Sequence, residues 1–260
     1  MLERFHLAKQ AEINALLRKQ DQGHVFTPWS LSRPDFSAAL THPHATGIIA
    51  EYKRASPSKG NINLHSSALD VCTAYLNAGA SALSILTEST YFKGDLAYLT
   101  EVHNLGLPLL RKDFIIHPLQ VVATRTTPAS AILLIARMFK DQTELGDMHR
   151  LCLGIGLEPV VEIFDKNDLA RAKEIKARII QVNNRDLDTL TTDLNRSLEL
   201  VRYKEAEEIW IGASGISSTD QVQMLKSAGL NALLIGTALM NAQNPGQGLT
   251  ALTSTQRRQV

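Results

Sequence analysis

Glu51 and Lys53 stand two residues apart at the end of an apolar run, Ile48-Ile49-Ala50, and a small-residue loop, Ser56-Pro57-Ser58-Lys59-Gly60, follows at once. On a strand, residues two apart point to the same side, so this carboxylate and ammonium share a face. Such a pair can do acid/base work, or it can be a surface ion pair beside an ordinary turn. Two more charges have the same setting: Lys112 follows Leu107–Leu110, and Glu162 follows Val160-Val161. A charge is expensive to bury alone, so groups placed like this pair or work. Lysines and carboxylates that converge could act as general acids and bases. Other apolar runs end in Thr87 and Glu88, in Arg111 and Asp113, in Arg137, in Asp165, and in Asn183, Asn184, Arg185 and Asp186. Two ends are different in kind. Ala213-Ser214-Gly215-Ile216 and Leu234-Ile235-Gly236-Thr237 are small and expose backbone. They are either two ordinary tight turns or a phosphate site, in which glycines let the anion approach amides and a hydroxyl adds a donor.

The elements that must position these groups are legible as alternation. Apolar runs fall at 47–53, 82–88, 108–113, 131–137, 159–164, 178–184, 208–214 and 231–237. Helical stretches follow them at 66–78, 95–105, 117–126, 142–153, 166–175, 194–203, 217–228 and 245–253. Gly79, Gly106, Gly156 and Gly229 sit near helix ends, and Pro118 and Pro245 suit first turns. Strands alternating with helices imply parallel pairing, because parallel neighbours need a crossover. About eight such units close a (β/α)₈ TIM barrel, whose active sites lie at the carboxyl ends of the strands and whose seventh and eighth loops often bind phosphate. An open doubly wound sheet is the alternative, but no Gly-rich dinucleotide turn follows an early strand. Ahead of the barrel, Leu2, Phe5, Ile13, Leu16 and Leu17 share one helical face over residues 2–19, with Leu7 off it. Residues 20–45 read as an irregular connection with a short helix near Arg33 to Leu40, pinned by Phe26, Trp29 and Phe36. The expected organisation is an N-terminal helical extension, 1–45, packed on a barrel, 46–260, as a single domain.

Bulk properties exclude several classes. The chain has 260 residues, 44% hydrophobic and 20% charged, which suits one large core. A net charge of +1 gives no general attraction to nucleic acid or membrane, so an anionic ligand must be held locally. Cys72 and Cys152 stand without a secretory signature, so a disulfide framework is not expected and a cytoplasmic location is. No run of 18 apolar residues suggests a membrane span. The chain should be a monomer or weak homodimer.

The stretch Ala50-Glu51-Tyr52-Lys53-Arg54-Ala55-Ser56-Pro57-Ser58-Lys59-Gly60 resembles the AEIKRASPSKG signature of the indole-3-glycerol phosphate synthase family. Leu86-Thr87-Glu88, Tyr91-Phe92-Lys93-Gly94, Leu110-Arg111-Lys112-Asp113-Phe114-Ile115-Ile116, Ile132-Leu133-Leu134-Ile135-Ala136, Val161-Glu162-Ile163, Val182-Asn183-Asn184-Arg185-Asp186-Leu187, Ser214-Gly215-Ile216 and Leu234-Ile235-Gly236 resemble later family stretches, in order. RKDF with NNRDL and SPSKG is more specific than a shared fold would give. The resemblance implies closure of the indole ring in tryptophan biosynthesis by a carboxy-lyase. Its substrate, 1-(2-carboxyphenylamino)-1-deoxyribulose 5-phosphate, loses carbon dioxide and water, and the resemblance implies that no metal and no organic cofactor is needed. It implies Lys112 as main general acid and Glu162 as general base. Lys53 would meet the substrate carboxylate or assist dehydration, oriented by Glu51. Asn183 and Arg185 would contact sugar hydroxyls and the anthranilate part. Ser56, Ser214, Gly215, Gly236 and Thr237 would hold phosphate. Phe92, Phe114 and the strand-four leucines would wall the aromatic ring.

Four departures stand out. Ala213 occupies the position where the family has Glu before Ser-Gly-Ile, so a carboxylate of the pocket is missing. Gln181 stands where the family usually has Gly, Phe164 replaces the usual His, and Thr127-Pro128-Ala129-Ser130 replaces Ala-Gly-Ala-Asp. Two function classes follow: a synthase with an altered strand-seven contact, or a catalytically weakened or repurposed paralogue that binds a sugar phosphate. A phosphoribosylanthranilate isomerase-like barrel would fit the fold and the phosphate turns, but not RKDF and SPSKG.

Overall fold

The computed structural model describes residues 2–186 and 189–254. Leu187, which ends the Asn-Asn-Arg-Asp-Leu run, and residues 255–260 lie outside them. Eight parallel strands form a closed barrel. They are β1 (Ile48–Tyr52), β2 (Ala82–Leu86), β3 (Leu109–Lys112), β4 (Ala131–Ile135), β5 (Glu158–Ile163), β6 (Ile179–Asn183), β7 (Ile209–Ala213) and β8 (Ala232–Ile235). Each pairs with its chain neighbours, and β8 returns to β1 through Ile48↔Leu233 and Ala50↔Ile235. The strands read as near-continuous apolar runs because both faces are covered, the inner by other strands and the outer by helices.

Two helices precede the barrel, α1 (Leu2–Asp21) and α2 (Phe36–Thr41). The crossover helices are α3 (Ala68–Asn77), α4 (Ala97–Val102), α5 (Pro118–Arg125), α6 (Gln142–Gly154), α7 (Lys166–Glu174), α8 (Asn195–Leu200) and α9 (Thr219–Ser227). A short α10 (Thr237–Met240) and then α11 (Pro245–Thr253) follow β8. Local chemistry sets their ends. Ser67, Asp141, Asp165 and Ser218 cap α3, α6, α7 and α9 by accepting from amides of the first turn. Pro118 and Pro245 occupy first turns as expected.

Three details differ from the sequence expectations. The SPSKG loop is not simply irregular: Ala55–Ser56 pairs antiparallel with Gly60–Asn61, and left-handed Gly60 (φ 64°) closes the reversal. The last strand stops at Ile235, and Gly236 caps α10, a helix too short to show in a periodicity count. The short helix of the connection begins after Asp35, which caps Ala38 N–H, rather than near Arg33.

Alternation divides the core in two. One cluster fills the barrel, including Ile49, Leu110, Leu133, Val160, Ile179, Ile211 and Leu234. The other lies between strands and helices, including Leu83, Ile132, Leu134, Val161, Ile180 and Trp210. Strands that close with a shear of eight stagger by about one residue each, so inward side chains form layers from alternate strands. The registers put Glu51, Lys112, Glu162 and Ala213 in one layer. Leu86, Ile135, Asn183 and Gly236 lie above it, and Ser84, Leu133, Gln181 and Leu234 beneath.

Phe5, Lys9, Ile13 and Leu16 form the buried stripe of α1. Lys9 is 2% exposed and donates to Asp113 at 2.7 Å, besides pairing with Glu12. Arg111, equally buried, reaches Glu12 at 3.0 Å and Asp113 at 2.8 Å. This network joins α1 to the strand that carries Lys112.

Candidate active site

The carboxyl ends of the strands open into a cavity of about 420 Å³. Glu51, Lys53, Lys112, Glu162, Asn183, Arg185, Phe92 and Phe114 line it, and so do Ser56, Ser214, Gly215, Gly236 and Thr237. The sequence singled these out from separate runs, and the barrel brings them together.

Two ion pairs face the cavity. Lys53 Nζ lies 2.8 Å from Glu51 Oε1, and Lys112 Nζ lies 3.4 Å from Glu162 Oε2. Glu162 is 3% exposed and accepts two further hydrogen bonds, from Asn183 Nδ2 at 3.0 Å and from Gln181 Nε2 at 2.5 Å. Asn183 in turn accepts from the Arg185 amide, and the Arg185 guanidinium donates to Leu190 O at 2.7 Å. Opposite charges within hydrogen-bond reach, mostly out of water, interact strongly and leave protons a short path.

One wall is aromatic. Phe114 stacks on Phe5 of α1, centroids 3.9 Å apart, and Phe92 tilts against Phe114 at 6.1 Å. Of the strand-four leucines only Leu133 lines the cavity, with Ile135 beside it. Leu134 faces the helices, as the period of two requires. Glu88 holds the loop bearing Phe92: its carboxylate accepts from the amides of Thr90, Tyr91 and Phe92 at 2.7, 2.7 and 3.0 Å. It is therefore occupied and does not substitute for the carboxylate missing at Ala213.

The opposite side is built for close approach. Ser214 and Gly215 are both left-handed, with φ of 70° and 81°. Left-handed backbone strains a serine by about 1–2 kcal/mol. A Cβ on Gly215 would lie 2.2 Å from Thr192 Cγ2. A Cβ on Gly236 would lie 2.1 Å from Glu51 Oε1, so the glycine makes room for the acid/base pair itself. Thr237 opens α10, whereas the Ser214-Gly215 turn is separated from α9 by Ile216, Ser217 and Ser218. A helix start thus stands directly behind one of the two turns.

Not every polar strand end serves the cavity. Arg111 turns outward to α1, and Arg137 pairs with Asp165 at 3.0 Å and Asp168 at 2.7 Å. Phe164 is clasped by the guanidinium groups of Arg137 and Arg196, at 4.3 and 3.5 Å from its ring, which accounts for an aromatic there. Sequence reasoning passed over Phe5 and Lys59, and it marked Gln181 only as a departure from the family's Gly, with no role in the site. Phe5 was read as helix packing. Lys59 lies inside the quoted loop and adds an exposed cation to the cavity rim. Gln181 sits below the cavity, and its polarity within an apolar run was the available signal.

Among the described residues, no group of three or more His, Cys, Asp or Glu could hold a metal ion, and no helix is long and apolar enough to cross a membrane.

Residues 2–252 match the family model described as indole-3-glycerol phosphate synthase. The chain belongs to the indole-3-glycerol phosphate synthase family. Its relatives include the indole-3-glycerol phosphate synthase of Desulfosudis oleivorans, 38% identical over 95% of this chain and 91% of that protein. That of Burkholderia cenocepacia is 35% identical over 97% of this chain and 98% of that protein. Among solved structures, a 3-hexulose-6-phosphate synthase from Salmonella typhimurium superposes with a TM-score of 0.63 over 80% of this chain and 96% of that one. At 13% identity that likeness concerns the fold alone.

Proposed function

We propose that this member of the indole-3-glycerol phosphate synthase family closes the indole ring in tryptophan biosynthesis, and that the residues gathered in the cavity carry the reaction. The carrying observation is one cavity with two lysine–carboxylate pairs beside an aromatic wall and, across from it, turns open to a phosphate. The substrate needs those three things together: a ring to be walled, a ketone and carboxylate to be met by acids and cations, and a terminal phosphate.

Lys112 acts as the main general acid, protonating the ketone oxygen as the arene carbon attacks. Carbon dioxide then leaves that carbon, which restores the benzene ring, and loss of the former ketone oxygen as water, with a proton from the neighbouring carbon, completes the aromatic five-membered ring. Glu162, held by three donors, acts as the base that takes a proton during dehydration. Lys53, steadied by Glu51, meets the substrate carboxylate or assists the leaving hydroxyl. Asn183 and Arg185 address the sugar hydroxyls and the anthranilate part. Phe92 and Phe114 wall the ring. Ser56, Ser214, Gly215, Gly236 and Thr237 hold the phosphate, with α10 as the short helix start that such barrels use for anions. The protein works in the cytoplasm as a monomer or weak homodimer, with a small sugar-phosphate substrate and no nucleic-acid or membrane partner. The repurposed-binder reading rests on Ala213 alone, since the other acid/base groups share the cavity.

A steady-state assay of the purified protein, following indole formation, tests the reading. Turnover with competitive inhibition by inorganic phosphate is expected. No turnover under conditions where a family enzyme works would sink it.

A further inference from the structure

We infer that Gln181 is a positioning residue, which holds the Glu162 carboxylate from beneath in the orientation its base role requires. The inference rests on the function proposed above and extends it below the cavity.

Gln181 projects into the barrel one layer under Glu162, level with Ser84, Leu133 and Leu234. It is fully buried. Its Nε2 donates to Glu162 Oε2 at 2.5 Å, the shortest contact that carboxylate makes. Its Oε1 is buried and has no hydrogen-bond partner among the described residues. A buried carbonyl without a partner is unfavourable, and two leucines in the same layer show that the site tolerates apolar side chains. Stability alone would therefore favour an apolar residue at 181. What the amide adds is a charge-assisted hydrogen bond to one oxygen of the catalytic carboxylate.

The geometry explains why that oxygen needs holding. Oε2 also faces Lys112 at the longer distance of 3.4 Å, while Oε1 is held by Asn183. Without the amide below, Oε2 would have only the lysine to fix it, and that lysine must turn to the substrate when it acts as an acid. With the amide, Glu162 keeps its place while Lys112 is engaged elsewhere. Ala213, in the same layer as Glu162, offers no second carboxylate to share the work. Gln181 does not line the cavity, so it acts through Glu162 and not on the substrate.

The test compares wild type with Gln181→Met and Gln181→Leu, which keep the bulk and remove the donor, and with Ser84→Ala. Ser84 is an equally buried member of the same layer whose Oγ also has no partner among the described residues. Expected is a fall in kcat of about tenfold or more in both Gln181 variants, as losing a hydrogen bond to a charged group implies, with KM changed less than about twofold. Ser84→Ala should change neither. An unchanged kcat, or a loss seen only in KM, would overturn the inference. So would an equal loss of kcat in Ser84→Ala, which would assign the effect to packing of the layer. Failure of both Gln181 variants to fold would overturn it too, by making the residue structural. An inactive wild type would instead remove the proposed function, and with it the reaction Gln181 serves.

Discussion

Lys112 and Lys53 face the same cavity with different partners, and the difference predicts different losses. Lys112 shares Glu162 with Gln181 and Asn183, so its ammonium is one donor among three and can turn to a substrate oxygen without leaving the carboxylate bare. Lys53 sits 2.8 Å from Glu51 and answers to it more closely. Lys112→Ala should lower kcat by about 10²-fold or more, the usual weight of a general acid, and by more than Lys53→Ala. Steady-state kinetics of both variants check this, and a near-normal kcat in Lys112→Ala would show the acid role misassigned. Ala213 belongs to the same layer as Lys112 and Glu162, so a carboxylate there would enter the group directly. Ala213→Glu should raise kcat/KM by about tenfold if it restores one charge-assisted hydrogen bond. No gain, or a loss, would mean that another group already serves. Cys72 and Cys152 have no part in this chemistry: both are buried and unbridged, and burial pushes the Cys152 thiol up to about 12.

At the scale of elements, the turn after β8 and the strand β1 are coupled through one missing side chain. Gly236 has ordinary negative φ, so its glycine is not needed for backbone freedom. It is needed because Glu51 Oε1 occupies the place of its Cβ. Gly236→Ala should push Glu51 off Lys53, disturb the phosphate turn, and so lower kcat and raise KM together. Kinetics of the folded variant decide, and a wild-type profile would show that Glu51 can move at no cost. Helix α1 is coupled to β3 in another way. Lys9 and Arg111 enclose Asp113, which also accepts from Thr87 Oγ1 at 2.6 Å and from the amide of Phe114 at 2.8 Å. Burial pushes this carboxyl up, but the charges of Arg111 and Lys9 and the hydrogen bonds outweigh it, and it titrates below the usual carboxylate range. Asp113→Asn would leave two buried cations, Lys9 and Arg111, with Glu12 as their shared carboxylate partner, at a cost on the order of 3 kcal/mol in chemical denaturation. Asp113 immediately follows Lys112, and Phe114 stacks on Phe5, so the extension braces both the acid and the aromatic wall.

For the whole molecule, the same carboxylate sets a direction for acid sensitivity. A group whose pKa is lower in the folded than in the unfolded chain adds stability above its unfolded value, about 4. That contribution is lost as pH falls through the folded value. The melting temperature of the wild type should therefore drop more steeply between about pH 5 and pH 3 than that of Asp113→Asn, which has no such proton to take up. Parallel curves would show that other carboxylates dominate. The barrel itself was legible because its signal is local. Eight apolar runs, each followed by a helical period, with caps at several helix starts and left-handed glycines near four helix ends, leave few topologies when connections must be short and parallel. The candidate site was legible for the same reason, since strand ends in such a barrel share one mouth, so residues as far apart in the chain as Glu51 and Thr237 could be assigned to one place. What the sequence could not determine is what depends on which side chains meet. Lys9 falls on the apolar stripe of α1, and only the closed structure shows the buried carboxylate that allows it. Glu88 reads like any other charge at a strand end until the loop folds back and its three amides take the carboxylate. Gln181 reads as one polar residue in an apolar run until β5 lies beside β6 and its amide meets Glu162. Alternation along a strand says which face a residue is on, while stagger around the barrel decides which residues share a height. Stagger is a property of the closed sheet and is carried by no single segment of the chain.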